Sequence, residues 1–413
     1  MSDVLNKLKD LINKPNAKYG IENILKAYHF LNDPLKNTKI IHVAGTNGKG
    51  SVCYKIAKSL SLSGYKVGLF TSPHISSIRE RIMVDFALIS DHEFENELDS
   101  LFYVLEPLEI DLNFFEVITL LACNFFHKKA VDFAVIEVGL GGRLDATNVL
   151  SSDVSVITSI GYDHQHLLGN SLDQIACEKA GIIKPNVPVI LGPKALYQVI
   201  IEKAQELSAP LYTISDKDFV TYDEENQAIA KQVLEILKKS FPISSKSIHC
   251  GISERPKCRL EVYDREEMKR LFPNFPKKII FDVAHNVDGL KRLKQSLDKK
   301  FGCDKYIVIL GISKDKDVTF FCRYLETFAK EIHLAKSDHP RLAAPDIIFN
   351  QFSENIPIYK HENFSNAMKS VINKENEQVL VLGSFYFMHE VKKALNIESE
   401  SDLFNFNELI PKT

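Results

Sequence analysis

Apolar residues recur along the chain in two alternating patterns: short continuous runs, and longer segments with apolar positions three or four residues apart. The short runs predict buried strands of a parallel sheet, and the longer segments predict the helices that cover it. The alternation occurs on both sides of a polar, proline-containing stretch at 242–258, which indicates a linker. The pattern therefore predicts an α/β protein of two domains, 1–255 and 256–413, with a hinge at about 256–263.

The predicted elements follow one another in the order expected for parallel sheets. Predicted strands of the first domain are 40–44, 65–70, 133–136, 154–160, 187–191 and 211–214. After a helical region within 1–38, its predicted helices are 52–62, 113–127, 171–183, 195–207 and 224–239. In the second domain the predicted strands are 279–282, 306–310, 331–335 and 378–382. Its predicted helices are 289–297, 318–329 and 364–372, followed by a last helix.

The first strand opens into the sequence GTNGKGS at 45–51, which we call the glycine loop. Glycines let backbone N–H groups approach phosphates, the following helix N-terminus favours their charge, and Lys49 adds a point charge. The spacing departs from the general P-loop motif, because only two residues separate Gly45 from Gly48. Gly50 also stands where a Mg²⁺-binding hydroxyl is usual, so that hydroxyl would come from Ser51 or from elsewhere.

Polar residues follow three other strands of the first domain, at the edge where parallel sheets bind ligands. Ser72 follows 65–70 and is a candidate for the missing hydroxyl, while Glu137 follows 133–136 and suits a metal ligand or a water-activating group. His164, after Asp163, could supply an imidazole ligand. Taken alone, these residues would be a Ser-Pro turn, a solvated carboxylate and a surface histidine, but the glycine loop upstream favours the metal for Glu137.

Further candidates lie in a helix and in the second domain. Lys179 stands among apolar neighbours, and burial would lower its pKa and make a neutral amine available, although a solvated lysine is the alternative. Asp282 and His285 stand where a strand opens into a helix, and Arg259 lies in the linker. Residues at a hinge and a facing strand end suit a reaction in a cleft between domains. If the glycine loop binds ATP, the presence of Arg259, Asp282 and His285 in the second domain suggests that a further substrate binds in the same cleft.

Composition narrows the class of protein. The chain has 413 residues, a net charge of −3 and seven cysteines without a CxxC pair. The small net charge offers no basis for binding nucleic acid, and the scattered cysteines favour a reducing cytoplasm over a disulfide framework or structural zinc. No apolar run approaches the ~20 residues that span a bilayer. We therefore expect a cytoplasmic protein that binds neither nucleic acid nor membranes.

Seven motifs occur in a fixed order: GTNGKGS, TSPH with RERI, EVGLGGRLDATN, ITSIGYDH, EKAGIIK, FDVAHN and LGSFYF. With these motifs the sequence resembles the dihydrofolate synthase/folylpolyglutamate synthase family of the Mur ligase superfamily, from about residue 18 to 395. The resemblance implies a monomer in which a P-loop ATPase domain, with a mostly parallel sheet, is joined to a smaller Rossmann-like domain. It implies an ATP-dependent ligase that adds L-glutamate to dihydropteroate, to the γ-carboxylate of reduced folates, or to both. An acyl phosphate would be the intermediate, and ADP and phosphate would be released.

The resemblance also implies roles for individual residues. Ser72 and Glu137 would ligate one Mg²⁺, and His164 would help to hold a second. Lys179 would carry a CO₂-derived carbamate, and Lys49 and Arg259 would offset the charge of the reacting phosphate. Glutamate would be faced by His285 and Ser384. The ATP contacts would be Gly45, Thr46, Asn47, Gly48, Lys49, Gly50, Ser51, Asn226, Arg259 and Asp282. The pterin-side contacts would be Asn113, Phe114, Phe115, Glu116, Leu144, Asp145 and Ala146.

The chain departs from the family pattern at two places. The Gly-x-His-Gln element that usually precedes the residue matched to Asn226 is replaced by VTYDEE at 220–225, in a shortened segment. At the hinge, the usual Pro-Gly-Arg is replaced by Lys257, Cys258 and Arg259. The first departure concerns the adenine side of the site, and the second removes a hinge glycine but retains the arginine.

Two other functions remain as alternatives. A different Mur-type amino-acid ligase would usually carry a nucleotide-sugar-binding domain before the glycine loop, where only some 40 residues stand here. A non-catalytic ATP-binding switch would not need Asp282, His285 and a carbamylatable Lys179 beside a metal site.

Overall fold

The computed structural model describes residues 3–12, 20–215, 219–302, 305–353 and 355–397. The chain divides into two compact units. The first comprises Met1–His74, Ile78–Asp218 and Glu224–Arg255, and the second comprises Ile75–Ser77, Phe219–Asp223 and Pro256–Thr413. The main boundary lies between Arg255 and Pro256, and two short earlier segments belong to the second unit.

The first unit is built on one mixed sheet with helices around it. Its strands are β1 (Lys39–Ala44), β2 (Val67–Phe70), β3 (Ile82–Val84), β4 (Ala87–Leu88), β5 (Phe133–Glu137), β6 (Val154–Ser159), β7 (Val189–Lys194) and β8 (Leu211–Thr213). Its helices are α1 (Asp3–Ile12), α2 (Glu22–Phe30), α3 (Lys49–Ser61), α4 (Asp91–Leu105), α5 (Phe114–Lys128), α6 (Gln165–Leu168), α7 (Leu172–Ala180), α8 (Gln198–Glu206), α9 (Tyr222–Leu237) and α10 (Ser245–Ser253). The first two residues of α9 belong to the second unit. Short 3-10 helices lie at Ile78–Arg81, Glu106–Leu108 and Ala146–Val149.

The second unit has a smaller sheet. Its strands are β9 (Glu261–Asp264), β10 (Lys278–Asp282), β11 (Tyr306–Gly311), β12 (Ala329–Ala335), β13 (Ile358–His361) and β14 (Gln378–Gly383). Its helices are α11 (Arg265–Met268), α12 (Val287–Phe301), α13 (Val318–Leu325), α14 (Pro345–Phe349), α15 (Phe364–Val371) and α16 (Met388–Ala394), with a 3-10 helix at Phe385–Phe387.

The glycine loop leaves a central strand of the first sheet. The strand order is β4-β3-β2-β5-β1-β6-β7-β8. The six neighbouring strands β2, β5, β1, β6, β7 and β8 are parallel, and β3 and β4 extend the sheet beyond β2 in antiparallel pairs. Val43 on β1 pairs with Glu137 on β5 and with Val156 on β6. The carboxyl ends of these three strands therefore lie side by side, which brings their following loops together.

Both faces of the second sheet are covered. The order is β13-β12-β11-β14-β10-β9, with only β9 antiparallel among the paired strands. Ile279 and Phe281 lie in one apolar core and Ile280 lies in another, because consecutive strand residues point to opposite faces. The α/β architecture with mostly parallel sheets is confirmed in both units.

Three sequence-based element predictions were wrong or incomplete. The predicted linker 242–258 contains the helix α10, whose Ile248 and Ile252 pack into the core of the first unit. The other positions of α10 are mostly polar, so its helical spacing of apolar residues is weak. The predicted helix 318–329 ends at Leu325, and Ala329 already begins β12. The hydrophobic pattern also failed to predict the strands β3, β4, β9 and β13 and the helices α4, α6, α11 and α14.

A search of the described residues finds no helix both long enough and apolar enough to cross a membrane.

Candidate active site

Two glycines shape the loop that joins β1 to α3. Gly45 and Gly48 have φ angles of 149° and 90°, a region that side chains disfavour. A Cβ atom at Gly45 would lie 1.9 Å from Thr158 Oγ1, and one at Gly48 would lie 2.5 Å from Asn226 Oδ1. The loop can therefore only be built with glycine at both positions. The second contact also places Asn226, on α9, directly against the loop.

Polar groups at the end of β6 hold the glycine loop in place. The Thr46 N–H donates to the carbonyl oxygen of Ser159 at 2.8 Å, and the Thr46 hydroxyl donates to the Gly161 carbonyl at 3.1 Å. The Asn47 N–H donates to Ser159 Oγ at 3.0 Å. The loop is thus rigidly attached to the neighbouring strand, which preorganises it for a ligand.

Lys49 begins α3, the helix that follows the loop. Its Nζ donates to the Gly45 carbonyl at 3.0 Å, so the ammonium group lies against the start of the glycine loop. The first turn of α3 contains no acidic residue, so the helix N-terminus and Lys49 both favour an anion here. Ser51, in the same turn, is buried.

Glu137 stands beside the loop at the end of β5. Its carboxylate is buried, and Oε2 accepts a hydrogen bond from the Ser72 N–H at 3.0 Å. A Cβ atom at Gly50 would lie 3.2 Å from the same oxygen, so the side chain that usually carries the metal hydroxyl has little room here. The structure thus brings together Glu137, Ser72 and the loop, because β2 and β5 are adjacent strands.

The surroundings of Glu137 fit a Mg²⁺ ion that takes some of its ligands from the protein and the others from water and substrate. Within the part of the chain that the structure describes, no three or more His, Cys, Asp or Glu side chains are grouped to hold a metal ion. A metal at Glu137 would therefore take one carboxylate, hydroxyl or water oxygens, and phosphate oxygens. That ligand set is typical of Mg²⁺, which usually keeps several waters and binds through one or two carboxylates plus phosphates.

His164 directly precedes the short helix α6, as its N-cap, and has a left-handed conformation with φ of 49°. Its N–H donates to Asp163 Oδ1 at 3.0 Å, and its Nε2 lies 3.8 Å from the same oxygen. The His164 side chain is about one-third exposed, at 34%. Asp163 holds this histidine at the carboxyl end of β6, next to the strand that carries the glycine loop.

Lys179, on α7, is buried rather than solvated. Burial, reinforced by the charge of Lys49, lowers its pKa to about 7, while Asp163, Asp145 and Glu178 act in the opposite direction. The neutral, nucleophilic form of this amine is therefore far more accessible near neutral pH than that of an exposed lysine. The charges of Lys49 and Asp163 act on this amine, so Lys179 shares the electrostatic environment of the glycine loop.

The residues matched to the pterin side begin α5. Asn113 caps this helix: its Oδ1 accepts from the Glu116 N–H at 3.0 Å, and its own N–H donates to Glu116 Oε2 at 2.7 Å. Burial raises the pKa of Glu116 to about 6. Phe115 packs on Phe70, with 5.8 Å between ring centroids, and a Cβ at Gly139 would lie 2.4 Å from the Phe115 ring. Asn113 and Glu116 thus satisfy each other in the helix cap.

Arg81 lies against the neighbouring aromatic residue of this helix: its guanidinium stands 5.6 Å from the Phe114 ring centroid. Phe114 is half-buried.

Asp145 organises the loop at 139–147. It is buried and accepts from the Leu140 N–H at 2.8 Å and from the Thr147 N–H at 3.0 Å, and burial raises its pKa. His42 Nε2 lies 2.8 Å from Thr147 Oγ1. The sequence analysis missed His42 and Thr147, because a histidine inside an apolar strand gives no signal of its partner. Leu144 is half-buried and Ala146 is buried in this loop.

Asp282 ends β10 in the second unit and is fully engaged by the protein. Its Oδ2 accepts from the Tyr222 hydroxyl and from the Leu260 N–H, the latter at 2.9 Å. Its Oδ1 accepts from the Ala284 N–H at 2.8 Å. Burial raises its pKa, against these hydrogen bonds and the charge of Arg259. This carboxylate therefore fixes the conformation of the surrounding loops.

Arg259 and His285 meet at the same aromatic ring. The Arg259 guanidinium lies 4.9 Å from the Phe385 ring centroid, and the His285 ring lies 6.0 Å from it. His285 Nδ1 donates to the Val283 carbonyl at 2.8 Å, so in the neutral ring Nε2 carries no proton. Ser384 is buried, and its Oγ lies 3.0 Å from Ser313 Oγ. The second unit thus groups a cation and an imidazole at one edge of its sheet.

Comparison with known proteins agrees with this division of the chain. The Mur ligase middle domain matches residues 43–252, and the Mur ligase glutamate ligase domain matches 265–385. The dihydrofolate synthase/folylpolyglutamate synthase of Bacillus subtilis is 32% identical over 421 residues, covering 92% of this chain and 96% of the relative. A folylpolyglutamate synthase of Lacticaseibacillus casei is 33% identical over 414 residues, covering 90% and 93%. The chain belongs to the dihydrofolate synthase/folylpolyglutamate synthase family of Mur ligases.

Solved structures of this family have the same fold. E. coli FolC in complex with DHPP and ADP superposes with a TM-score of 0.85 at 26% identity, covering 96% of this chain and 98% of that one. The bifunctional folylpolyglutamate synthase/dihydrofolate synthase of Yersinia pestis, complexed with AMPPNP and Mn, gives a TM-score of 0.84 at 28% identity, with 96% and 98% coverage. The family and the fold expected from the motifs are therefore confirmed.

Proposed function

We propose that this chain is an ATP-dependent ligase of folate metabolism. It joins L-glutamate to the carboxylate of dihydropteroate, to the γ-carboxylate of reduced folates, or to both, and releases ADP and phosphate. The proposal is carried by one observation: the glycine loop, Glu137 and Lys179 lie together in the unit that matches the Mur ligase middle domain. Folylpolyglutamate and dihydrofolate synthases recur among the relatives, which supports the substrate class.

The glycine loop would bind the ATP phosphates through its backbone N–H groups, the N-terminus of α3 and Lys49. Asn226 lies against the loop. Arg259 would add a positive charge that suits phosphate, because a guanidinium stays protonated. Glu137 and Ser72 would hold Mg²⁺, and His164 would help to hold a second ion. When bound, Mg²⁺ would neutralise phosphate charge.

The reaction would proceed by a phosphoryl transfer that forms an acyl phosphate, followed by an acyl transfer. A carboxylate oxygen of the folate substrate attacks the γ-phosphorus and ADP leaves, with Lys49 and Arg259 offsetting negative charge. The neutral α-amine of L-glutamate then attacks the acyl carbon, an amide bond forms and phosphate leaves. His285, whose Nε2 can accept a hydrogen bond, would orient glutamate together with Ser384.

Lys179 would act as its carbamate. Its lowered pKa provides the neutral amine that reacts with CO₂, and the charge of Lys49 would favour the resulting anion. The contacts of the pterin substrate would come from the start of α5 and from the 139–147 loop, which Asp145 holds in shape.

The test is phosphate release by the purified protein with ATP, Mg²⁺ and L-glutamate, comparing dihydropteroate with tetrahydrofolate. We expect release that depends on both glutamate and a folate substrate. Turnover with dihydropteroate alone would define a dihydrofolate synthase, with tetrahydrofolate alone a polyglutamylating enzyme, and with both a bifunctional one. Release with neither substrate, while ATP still binds, would exclude the folate assignment.

A further inference from the structure

A buried ion pair links the last described helix to the segment that carries Arg259. Lys392 on α16 has a side chain only 2% exposed, and its Nζ lies 3.0 Å from Glu261 Oε1 and 2.9 Å from Oε2. The ammonium group also stands over the rings of Tyr263 and Phe281, at 6.0 and 5.5 Å from their centroids. The proposed function gives neither Lys392 nor Glu261 a role.

Glu261 also binds the backbone of the segment that precedes β9. Its Oε2 accepts from the Cys258 N–H at 2.7 Å, and its Oε1 accepts from the Tyr263 hydroxyl at 2.6 Å. The carboxylate is therefore held by Lys392 on one side and holds the backbone of Cys258 on the other.

The backbone around Arg259 has a conformation that needs such support. Cys258 and Leu260 both have left-handed φ angles, 56° and 48°, although neither is glycine. Both side chains are fully buried, whereas Arg259 between them is half-buried and lies over Phe385. Cys258 and Leu260 lie in two different apolar cores, and the left-handed conformations at both residues leave Arg259 between them outside either core.

Three hydrogen bonds hold these turns. The Cys258 N–H is bound by Glu261, the Leu260 N–H by Asp282, and the Cys258 carbonyl accepts from the Val283 N–H at 3.1 Å. Asp282 is itself fixed by Tyr222 and Ala284. Lys392 takes part in none of the three, but it holds the Glu261 carboxylate that accepts from the Cys258 N–H. Removing that carboxylate releases the Cys258 N–H, and the strained segment can then relax.

We propose that Glu261 and Lys392 are positioning residues for Arg259, holding its guanidinium in the orientation that meets the nucleotide phosphates. The inference rests on the proposed contact of Arg259 with ATP. A buried ion pair is a weak source of stability, because the cost of removing both charges from water offsets their attraction. We therefore assign the Glu261–Lys392 pair the role of fixing the backbone next to Arg259, and with it the direction of the Arg259 side chain.

The test is a double-mutant cycle on AMPPNP affinity in the presence of Mg²⁺. The paired replacement E261M/K392M removes both charges together with the acceptor of the Cys258 N–H and leaves no unpaired buried ion, so it should fold. We expect it to weaken AMPPNP binding about 10-fold when Arg259 is present and less than about 2-fold in an R259A background. A purely structural role would weaken binding equally in both backgrounds, and that result would overturn the proposal.

A matched control removes another partly buried ion pair of the second unit. Lys374 pairs with Glu331 on β12, which is separated from β10 by two strands. The variant K374M should leave AMPPNP affinity unchanged, and thermal melting of every variant checks folding. No effect of R259A on AMPPNP affinity, or no binding by the wild type, would also overturn the proposal. A wild type that binds AMPPNP without turnover would instead refute the ligase function, and the cycle would still be measurable.

Discussion

At the residue scale, burial changes the protonation of two charged groups in the first unit. It lowers the pKa of Lys179 to about 7 and raises that of Glu116 to about 6, since in both cases it disfavours the charged form. The sequence indicated apolar neighbours around Lys179 but not the effect of the Lys49 charge on its pKa. Such pairings depend on which loops the sheet brings together, so they became visible only in the structure.

The lowered pKa of Lys179 predicts a pH-dependent cost to stability. Between about pH 7 and the ordinary lysine value of 10.5, the unfolded chain binds more protons than the folded one, so stability rises with pH. In CO₂-free buffer, Lys179→Met should be more stable than the wild type near pH 7, and the advantage should shrink by pH 9.5. Urea unfolding at both pH values measures it.

The control for this comparison is Lys203→Met, which removes a partly exposed lysine of α8. Its effect on the free energy of unfolding should be the same at both pH values. An advantage of Lys179→Met that does not change with pH would contradict a buried, neutral Lys179.

Glu137 provides a second prediction at this scale. Glu137→Gln keeps the size of the side chain and the acceptor for the Ser72 N–H but removes the charge beside the glycine loop. We expect phosphate release to fall at least about 100-fold, with a higher Mg²⁺ concentration needed for half-maximal rate. Steady-state assays across a Mg²⁺ series measure both quantities. Glu202→Gln on α8 should match the wild type, and an unchanged Mg²⁺ requirement in Glu137→Gln would argue against metal binding there.

At the scale of elements, α10 shows what the hydrophobic pattern could and could not predict. Its two buried isoleucines stand among serine, lysine and histidine, and this polar pattern predicts a linker instead of a helix. Lys55, buried on α3, donates to the carbonyl oxygens of Ile252 and Glu254 at 2.8 and 2.7 Å, and so secures the end of α10. This contact joins residues almost 200 positions apart, and no local pattern contains it.

Gly251 makes the α10–α3 contact testable. Gly-to-Ala in a helix normally stabilises by about 0.5–1 kcal/mol. Here a Cβ would lie 2.5 Å from the Ser59 Cα and backbone N of α3, so the helices must separate. Gly251→Ala should therefore destabilise the protein by about 1–3 kcal/mol. Chemical unfolding measures the change, and Cys250→Ala, at an exposed neighbouring position, should be close to neutral. Stabilisation by Gly251→Ala would contradict this packing.

The elements that the sequence predicted well are the strands with continuous apolar runs and the helices with a clear stripe. β1, β5 and β10 lie within a residue of their expected limits. The strands missed are short and lie at sheet edges or in antiparallel additions, where little apolar surface is buried. Motifs located the candidate site residues, but the mutual capping of Asn113 and Glu116 needed coordinates.

At the scale of the whole molecule, the second unit is not a continuous piece of sequence. Ile75 belongs to its apolar core, and the Tyr222 hydroxyl binds Asp282. A fragment of 256–413 lacks both groups and should melt at a lower temperature than a fragment of 219–413, which restores Tyr222. Circular dichroism melts compare the two. Equal melting temperatures would show that the Tyr222 contact adds nothing to the stability of this unit.

This discontinuity has a consequence for the growing polypeptide. During synthesis, domains generally fold as units as soon as their residues are available. The first unit is complete once Arg255 has emerged, but 75–77 and 219–223 belong to a unit whose strands are made only after Pro256. The first unit must therefore fold while it carries two segments that belong to a later neighbour. Two short pieces of the second unit are thus synthesised well before its strands, and its core can close only after α16 has been made.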